Sequence, residues 1–137
     1  MNRLKLLIAS SVFVFLPGCA LWDAYFMANY DNLEYGLVNK IRTLSELAVE
    51  DCKNPEISRE NFEGIYFTSV ELRNFTQYIP NNVDANKLAN NLVELSKQGK
   101  EMYVKSNSVS EAFCRVKLQQ IGRSAETAQK VIGSKPK

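Results

Sequence analysis

The chain of 137 residues contains no histidine. Histidine is the side chain that most often acts as a general base near neutral pH, and it is the commonest metal ligand. Glycine-rich phosphate loops, zinc-ligand spacings and calcium loops are also absent from the sequence. We therefore predict no catalytic residue, no metal site and no cofactor, and we do not expect an enzyme.

An excess of charge of one sign is lacking as well, once the N-terminal segment is set aside. The whole chain has 17 Lys plus Arg and 15 Asp plus Glu. Residues 1–18 hold two basic residues, Arg3 and Lys5, and no acidic one, so 17 − 2 = 15 basic residues remain against 15 acidic residues. A neutral domain lacks the clustered positive surface of nucleic-acid binders, so we predict no nucleic-acid partner.

The charge that is present is unevenly divided between the two halves. Residues 19–84 contain 5 basic and 11 acidic side chains, whereas residues 85–137 contain 10 basic and 4 acidic side chains. Opposite charge on the two halves favours their pairing within one fold. The other interpretation is a dipolar surface that docks a partner.

A long apolar run occurs only at the N-terminus. Arg3 and Lys5 precede residues 6–16, which are apolar except for two serines. This run is shorter than the roughly 20 residues that a transmembrane helix needs. A basic head followed by a short apolar run is typical of a secretory signal peptide.

Leu16-Pro17-Gly18-Cys19, at the end of this run, resembles the lipobox of bacterial lipoproteins. The resemblance covers residues 1–19 only. It implies transfer of diacylglycerol to the Cys19 sulfur, cleavage before Cys19 and acylation of the new amino terminus. Residues 1–18 are then a signal peptide, and residues 19–137 form one domain attached to a membrane through its lipid.

The residue after this cysteine is Ala20 rather than aspartate. In Gram-negative bacteria, the resemblance then implies export to the outer membrane, with the domain facing the periplasm. Two or more acyl chains hold a protein firmly on a bilayer. We therefore predict stable attachment to the outer membrane.

The rest of the chain has the period of amphipathic α-helices. Four helices are predicted, at about 21–52, 58–79, 84–105 and 108–132. Ser58 and Asp84 are the expected N-caps of the second and third helices, and Ser108 with Glu111 resembles a capping box for the fourth. Residues 134–137 are predicted to be a solvated tail.

Apolar stripes define the faces expected to be buried. In the first helix the stripe includes Leu33, Leu37 and Ile41, and in the second it includes Phe62 and Phe67. Four such helices with short connections most simply form an antiparallel up-down-up-down bundle, an all-α fold.

This topology makes a specific prediction for the remaining cysteines. The first helix ends at Cys52, and the fourth begins at that same end with Cys114 near its start. With Cys19 assigned to the lipid, an exported chain retains an even pair, and an oxidising compartment favours a disulfide. We therefore predict a Cys52–Cys114 disulfide that closes the bundle.

Two groups of aromatic residues are candidate surface features. Trp22, Tyr25 and Phe26 share one helical face next to the lipid anchor, where they either enter the headgroup zone or cover the lower end of the bundle. Tyr35 and Tyr103 lie at the edges of their stripes and are candidates for a protein contact surface, the core edge being the alternative.

These features predict a non-catalytic lipoprotein that binds another envelope protein. One concrete form is a bacterial or phage-encoded lipoprotein that inhibits or excludes an envelope component, an analogy of size and location. The alternative is a carrier that holds a lipid or another apolar ligand inside the bundle. A carrier should contain a large apolar cavity, whereas a binder should combine a packed core with an exposed aromatic patch.

The lipobox gives the first testable prediction. Metabolic labelling with radioactive palmitate should mark the wild-type protein, and the label should disappear in Cys19→Ser, because the sulfur that receives the lipid is lost. Cys52→Ser serves as the control and should keep the label. Palmitate that persists in Cys19→Ser would contradict the assignment.

Overall fold

Four α-helices make up the fold in the computed structural model, which describes residues 27–106 and 109–137. They are α1 (Asn32–Leu47), α2 (Pro55–Thr76), α3 (Val83–Lys105) and α4 (Glu111–Gly133). A short 3₁₀ helix, Ala48–Lys53, continues α1 to Asn54. Strands are absent from these described ranges.

The helices pack as a ring of four neighbours. α2 packs most extensively against α3 and α1 against α4, while the α3–α4 and α1–α2 contacts complete the ring. The connections are short, which makes successive helices antiparallel. The predicted all-α, up-down-up-down four-helix bundle closed by one disulfide is confirmed. Among the described helices, none has both the length and the apolar character needed to cross a membrane.

The core lies between the four helices. Its largest fully buried side chains are Phe62, Ile41, Ile65, Leu72, Leu92, Leu118, Ile121 and Ile132. Buried serines accompany them. The hydroxyl groups of Ser45, Ser69 and Ser96 donate to carbonyl oxygens one turn earlier in their own helices, at 2.8, 2.8 and 2.7 Å. Their polar atoms are thus satisfied inside an apolar interior.

Helix α1 begins later than the sequence predicted. The Asp31 carboxylate accepts hydrogen bonds from the backbone N–H groups of Leu33 and Glu34, so Asp31 is the N-cap, and residues 28–30 are not helical. The predicted start at about residue 21 is therefore wrong for residues 27–31, and residues 21–26 lie outside the described ranges. The buried face of α1 also differs from the predicted apolar stripe, because Glu34 is fully buried and Leu33 is 56% exposed.

The N-cap predicted for α2 is also corrected. Asn54, not Ser58, caps this helix by accepting from the N–H groups of Glu56 and Ile57. Ser58 is buried, and its hydroxyl donates to the Asp51 carbonyl at 3.1 Å. The helix therefore starts and ends about one turn earlier than predicted.

The starts of α3 and α4 also differ from the predicted ones, α3 beginning slightly earlier and α4 slightly later. Asn82 rather than Asp84 precedes α3, and its side chain makes no capping hydrogen bond. Helix α4 begins at Glu111, where the Ser110 hydroxyl accepts from the backbone N–H of Phe113 at 3.2 Å. Ser110 thus takes the capping role predicted for Ser108, which lies outside the described residues.

A buried polar cluster closes the end of the bundle where α1 begins. We call Glu34, Asn82 and Lys135 the polar tie, and this end the proximal end. The Lys135 ammonium group donates to the Glu34 carboxylate and to the Asn82 side-chain oxygen, and the Asn82 amide donates to Glu34 at 2.6 Å. The Lys135 and Glu34 side chains are 3% and 0% exposed.

The polar tie corrects the prediction of a solvated C-terminal tail. A buried carboxylate needs a counter-charge and hydrogen-bond donors, and Lys135 supplies both to Glu34. The backbone adds a second link, since the Tyr30 N–H donates to the Pro136 carbonyl at 2.7 Å. The tail is therefore part of the fold and fixes the chain just before α1.

Substitution of Gly99 tests the packing of the core. A Cβ atom at Gly99 would lie 2.3 Å from ring carbons of Phe62, which is fully buried and packs against Tyr103. We expect Gly99→Ala to lower the free energy of unfolding by about 1–3 kcal/mol through overpacking. The control Gly64→Ala, with nothing within 4 Å of the added Cβ, should raise it by about 0.5–1 kcal/mol. Equal urea midpoints for the two variants would contradict this packing.

Substitution of Lys135 tests the polar tie. Lys135→Met leaves the Glu34 carboxylate buried without its counter-charge, so we expect a loss of about 3–5 kcal/mol in the free energy of unfolding. Lys137→Met, two residues away at an exposed position, should change it by less than about 0.5 kcal/mol. Urea denaturation of both variants measures the difference, and similar stabilities would show that the tie is not formed.

Candidate functional site

The predicted disulfide joins the 3₁₀ helix to the start of α4. Cys52 and Cys114 are bonded with their Cα atoms 5.6 Å apart, and the two residues are 4% and 0% exposed. The bond links residues separated by 62 positions, which corresponds to about 4 kcal/mol in the chain-entropy model. Buried cysteines of this kind are inert. The pair therefore closes the distal end of the bundle.

The predicted membrane-proximal residues lie outside the described part of the chain. They are the lipidation site Cys19 and the aromatic residues Trp22, Tyr25 and Phe26. Their roles stay predictions.

The two tyrosines predicted as contact residues do not form a common surface. Tyr103 is only 8% exposed and packs against Phe62, with the ring centroids 5.6 Å apart and the ring planes tilted by 36°. This places Tyr103 in the core and corrects its assignment to a contact surface. Tyr35 is half-buried near the proximal end, beside Tyr30 at 5.8 Å between ring centroids.

The clefts between helices are open to the surface. One of about 270 Å³ follows the seam between α1 and α4, and one of about 440 Å³ lies at the turn between α2 and α3. A ligand carrier needs a concave apolar site that encloses most of its ligand. At Gly99 the core is instead closely packed, since an added Cβ atom would lie 2.3 Å from ring carbons of Phe62.

The seam between α1 and α4 carries charges that neutralise one another. Arg42 donates to Glu46, and Lys130 pairs with Glu126, both at 2.8 Å. The hydrogen bond to Glu46 raises the pKa of Arg42, and the hydrogen bond from Lys130 lowers the pKa of Glu126, with a further contribution from the Arg42 charge. These pairs leave the seam with little net charge to attract a partner.

The exposed side of α2 has a different character. Glu60, Glu63, Gly64, Phe67 and Glu71 follow the three- and four-residue spacing of one helical face, and all are exposed. We call them the outer face of α2. At its centre, Phe67 is 73% exposed. This face therefore combines a large apolar ring with acidic side chains.

The carboxylates of the outer face have no basic partner within the described ranges. No Lys or Arg nitrogen there lies within 4 Å of Glu60, Glu63 or Glu71. By contrast, Glu101 and Glu111 pair with Lys or Arg one turn away. Carboxylates one turn apart repel each other slightly. The pattern on α2 is thus not explained by pairing within its own helix.

Sequence reasoning missed the exposure of Phe67. It counted Phe67 with the apolar stripe of α2, whereas the buried positions of this helix include Ser58, Ser69 and Thr76. Because polar residues occupy several inward positions, the apolar residues alone give the wrong centre for the buried face. The signal in the sequence was that Glu60, Glu63 and Glu71 share one helical face with Phe67, which indicates a face exposed to solvent.

Other kinds of site gain no support from the geometry. Among the residues that the structure describes, His, Cys, Asp and Glu side chains form no group of three suited to a metal ion. Comparisons with protein families, with curated proteins and with solved structures found no match to this chain. The outer face of α2 is therefore the candidate site, on the basis of its own chemistry.

Proposed function

We propose that this chain is an outer-membrane lipoprotein, anchored through Cys19 and facing the periplasm, that acts as a non-catalytic protein-binding module. The outer face of α2 is its binding surface. The observation that carries this proposal is Phe67, 73% exposed at the centre of a face whose carboxylates have no described partner.

Aromatic side chains are enriched in protein interfaces because they bury much apolar area and lose little conformational entropy. A single aromatic anchor surrounded by polar groups is the usual arrangement of an interface hot spot. Phe67 with Glu63 and Glu71 one turn away on either side has this arrangement. The glutamates would add orientation and selectivity through charge.

The rest of α2 provides a rigid base for this surface. The opposite side of the helix holds Phe62, Ile65 and Leu72, each no more than 1% exposed. Rigid presentation lowers the entropy lost on binding. A lipid anchor adds a further gain, because it confines the module to the same membrane as its partner.

An inhibitor or exclusion lipoprotein, of bacterial or phage origin, is the concrete form that we favour. It requires only a packed scaffold, an anchor and one contact face. The alternative, a carrier of an apolar ligand, draws no support from the open clefts or from the close packing of the core at Gly99.

Affinity capture from envelope extracts, followed by a binding measurement with the captured partner, tests this function. Phe67→Ala should weaken binding by about 30-fold, the effect of losing roughly 2 kcal/mol at a hot spot. The matched control is Val116→Ala, which removes an apolar side chain that is 65% exposed on α4 and should leave the affinity unchanged.

The anchor is tested in the same assay. Cys19→Ser should bind the same partner with unchanged affinity in solution, since the lipid only raises the local concentration. A Phe67→Ala variant that binds as well as the wild type would contradict the assignment of the outer face of α2.

A further inference from the structure

A second set of exposed apolar residues lies at the proximal end. At the turn from α2 to α3, Tyr78 is 82% exposed and Val83 is 62% exposed. Ile79, between them, is half-buried. We call residues 78–83 the proximal turn, and Tyr78, Ile79 and Val83 are its apolar members. Asn81 in this turn has φ of 60°, a left-handed conformation that asparagine tolerates and that lets the chain reverse tightly.

We propose that the proximal turn contacts the headgroup region of the bilayer. This contact holds the bundle upright, with its helix axes roughly perpendicular to the membrane. This inference rests on the proposed lipid anchor at Cys19. It adds a second membrane contact, made by the folded domain itself.

The path of the chain limits how far this end can lie from the membrane. Residues 27–31 line one cleft together with residues 79–81, so the chain enters the fold beside the proximal turn. Between Cys19 and Met27 there are 27 − 19 = 8 residue steps, which span at most about 29 Å when fully extended. Helix α2, with 22 residues, is about 33 Å long. The tether is therefore shorter than the bundle, which excludes an arrangement with the disulfide end on the lipid and the proximal end away from it.

The charge of the proximal end suits a lipid surface. Glu34 is neutralised by Lys135 in the polar tie, and Asp84 lies 3.9 Å from Lys87. The Asp31 carboxylate has no Lys or Arg partner among the described residues, but it accepts two backbone N–H groups at the positive N-terminus of α1. A surface with paired charges is not repelled by anionic headgroups. The outer face of α2, with its unpaired glutamates, would be repelled, which disfavours a bundle lying on that side.

The side chains of the proximal turn also match the headgroup zone. Tyrosine combines an apolar ring with a polar hydroxyl and is enriched where a membrane meets water. Val83 and Ile79 supply aliphatic surface beside it. The polar tie fixes this turn in place, because Asn82 lies within it and bonds to Glu34 and Lys135.

An upright bundle has a direct consequence for binding. Phe67 lies nine residues before Thr76, the last residue of α2, which corresponds to about 14 Å of helix between Phe67 and the proximal turn. The outer face of α2 would thus stand clear of the lipid, where a periplasmic partner can reach it.

Tryptophan quenching in vesicles tests the inference. The chain has a single tryptophan, Trp22, so Trp22→Phe provides a silent background. In it, Tyr78→Trp and Phe67→Trp place a probe at two exposed positions, one in the proximal turn and one on the outer face of α2. The acylated proteins are reconstituted into vesicles of phosphatidylethanolamine and phosphatidylglycerol containing brominated phosphatidylcholine. We expect several-fold stronger quenching at position 78 than at position 67.

Each other outcome overturns a defined part of the account. Equal quenching at both positions would mean that the bundle lies on its side. Absence of quenching at position 78 in protein that floats with the vesicles would overturn the proximal contact and leave the anchor standing. Protein that does not float with vesicles would overturn the anchor itself, and this inference with it.

Discussion

The buried pair of Glu34 and Lys135 is the interaction on which the proximal half of the structure depends. It joins the first turn of α1 to the C-terminal tail, and Asn82 extends the link to the turn between α2 and α3. A buried ion pair is costly to break because either partner alone would remain charged and desolvated. Three distant parts of the chain are thus held together at the proximal end. At the distal end, the Cys52–Cys114 disulfide joins the 3₁₀ helix to α4.

The sequence is sufficient to predict the four helices, their order around the bundle and the disulfide. Apolar periodicity is local, and short connections leave one simple topology, so Cys52 and Cys114 can be placed at the same end before any coordinates are known. The helix starts are harder, because neighbouring polar residues compete as caps. Asn54 displaces Ser58 in this way, and the buried contacts of Asn82 remove it from capping altogether.

The polar tie could not be predicted from local pattern. Glu34 and Lys135 are separated by 101 residues, and neither position looks buried in its own segment. The exposure of Phe67 on the outer face of α2 could not be predicted for a related reason. Inward serine and threonine residues on α2 obscure the centre of its buried face, so Phe67 looks like a core residue until the packing of Phe62 against Gly99 fixes the rotation of the helix.

Photo-crosslinking in living cells tests the central claim, that the outer face of α2 binds a protein of the envelope. A benzophenone amino acid at position 67 of the acylated protein should yield one discrete protein adduct. The same probe at Thr127, exposed on α4, should not yield that adduct. Adducts that are equal at both positions, or absent at position 67, would contradict the account.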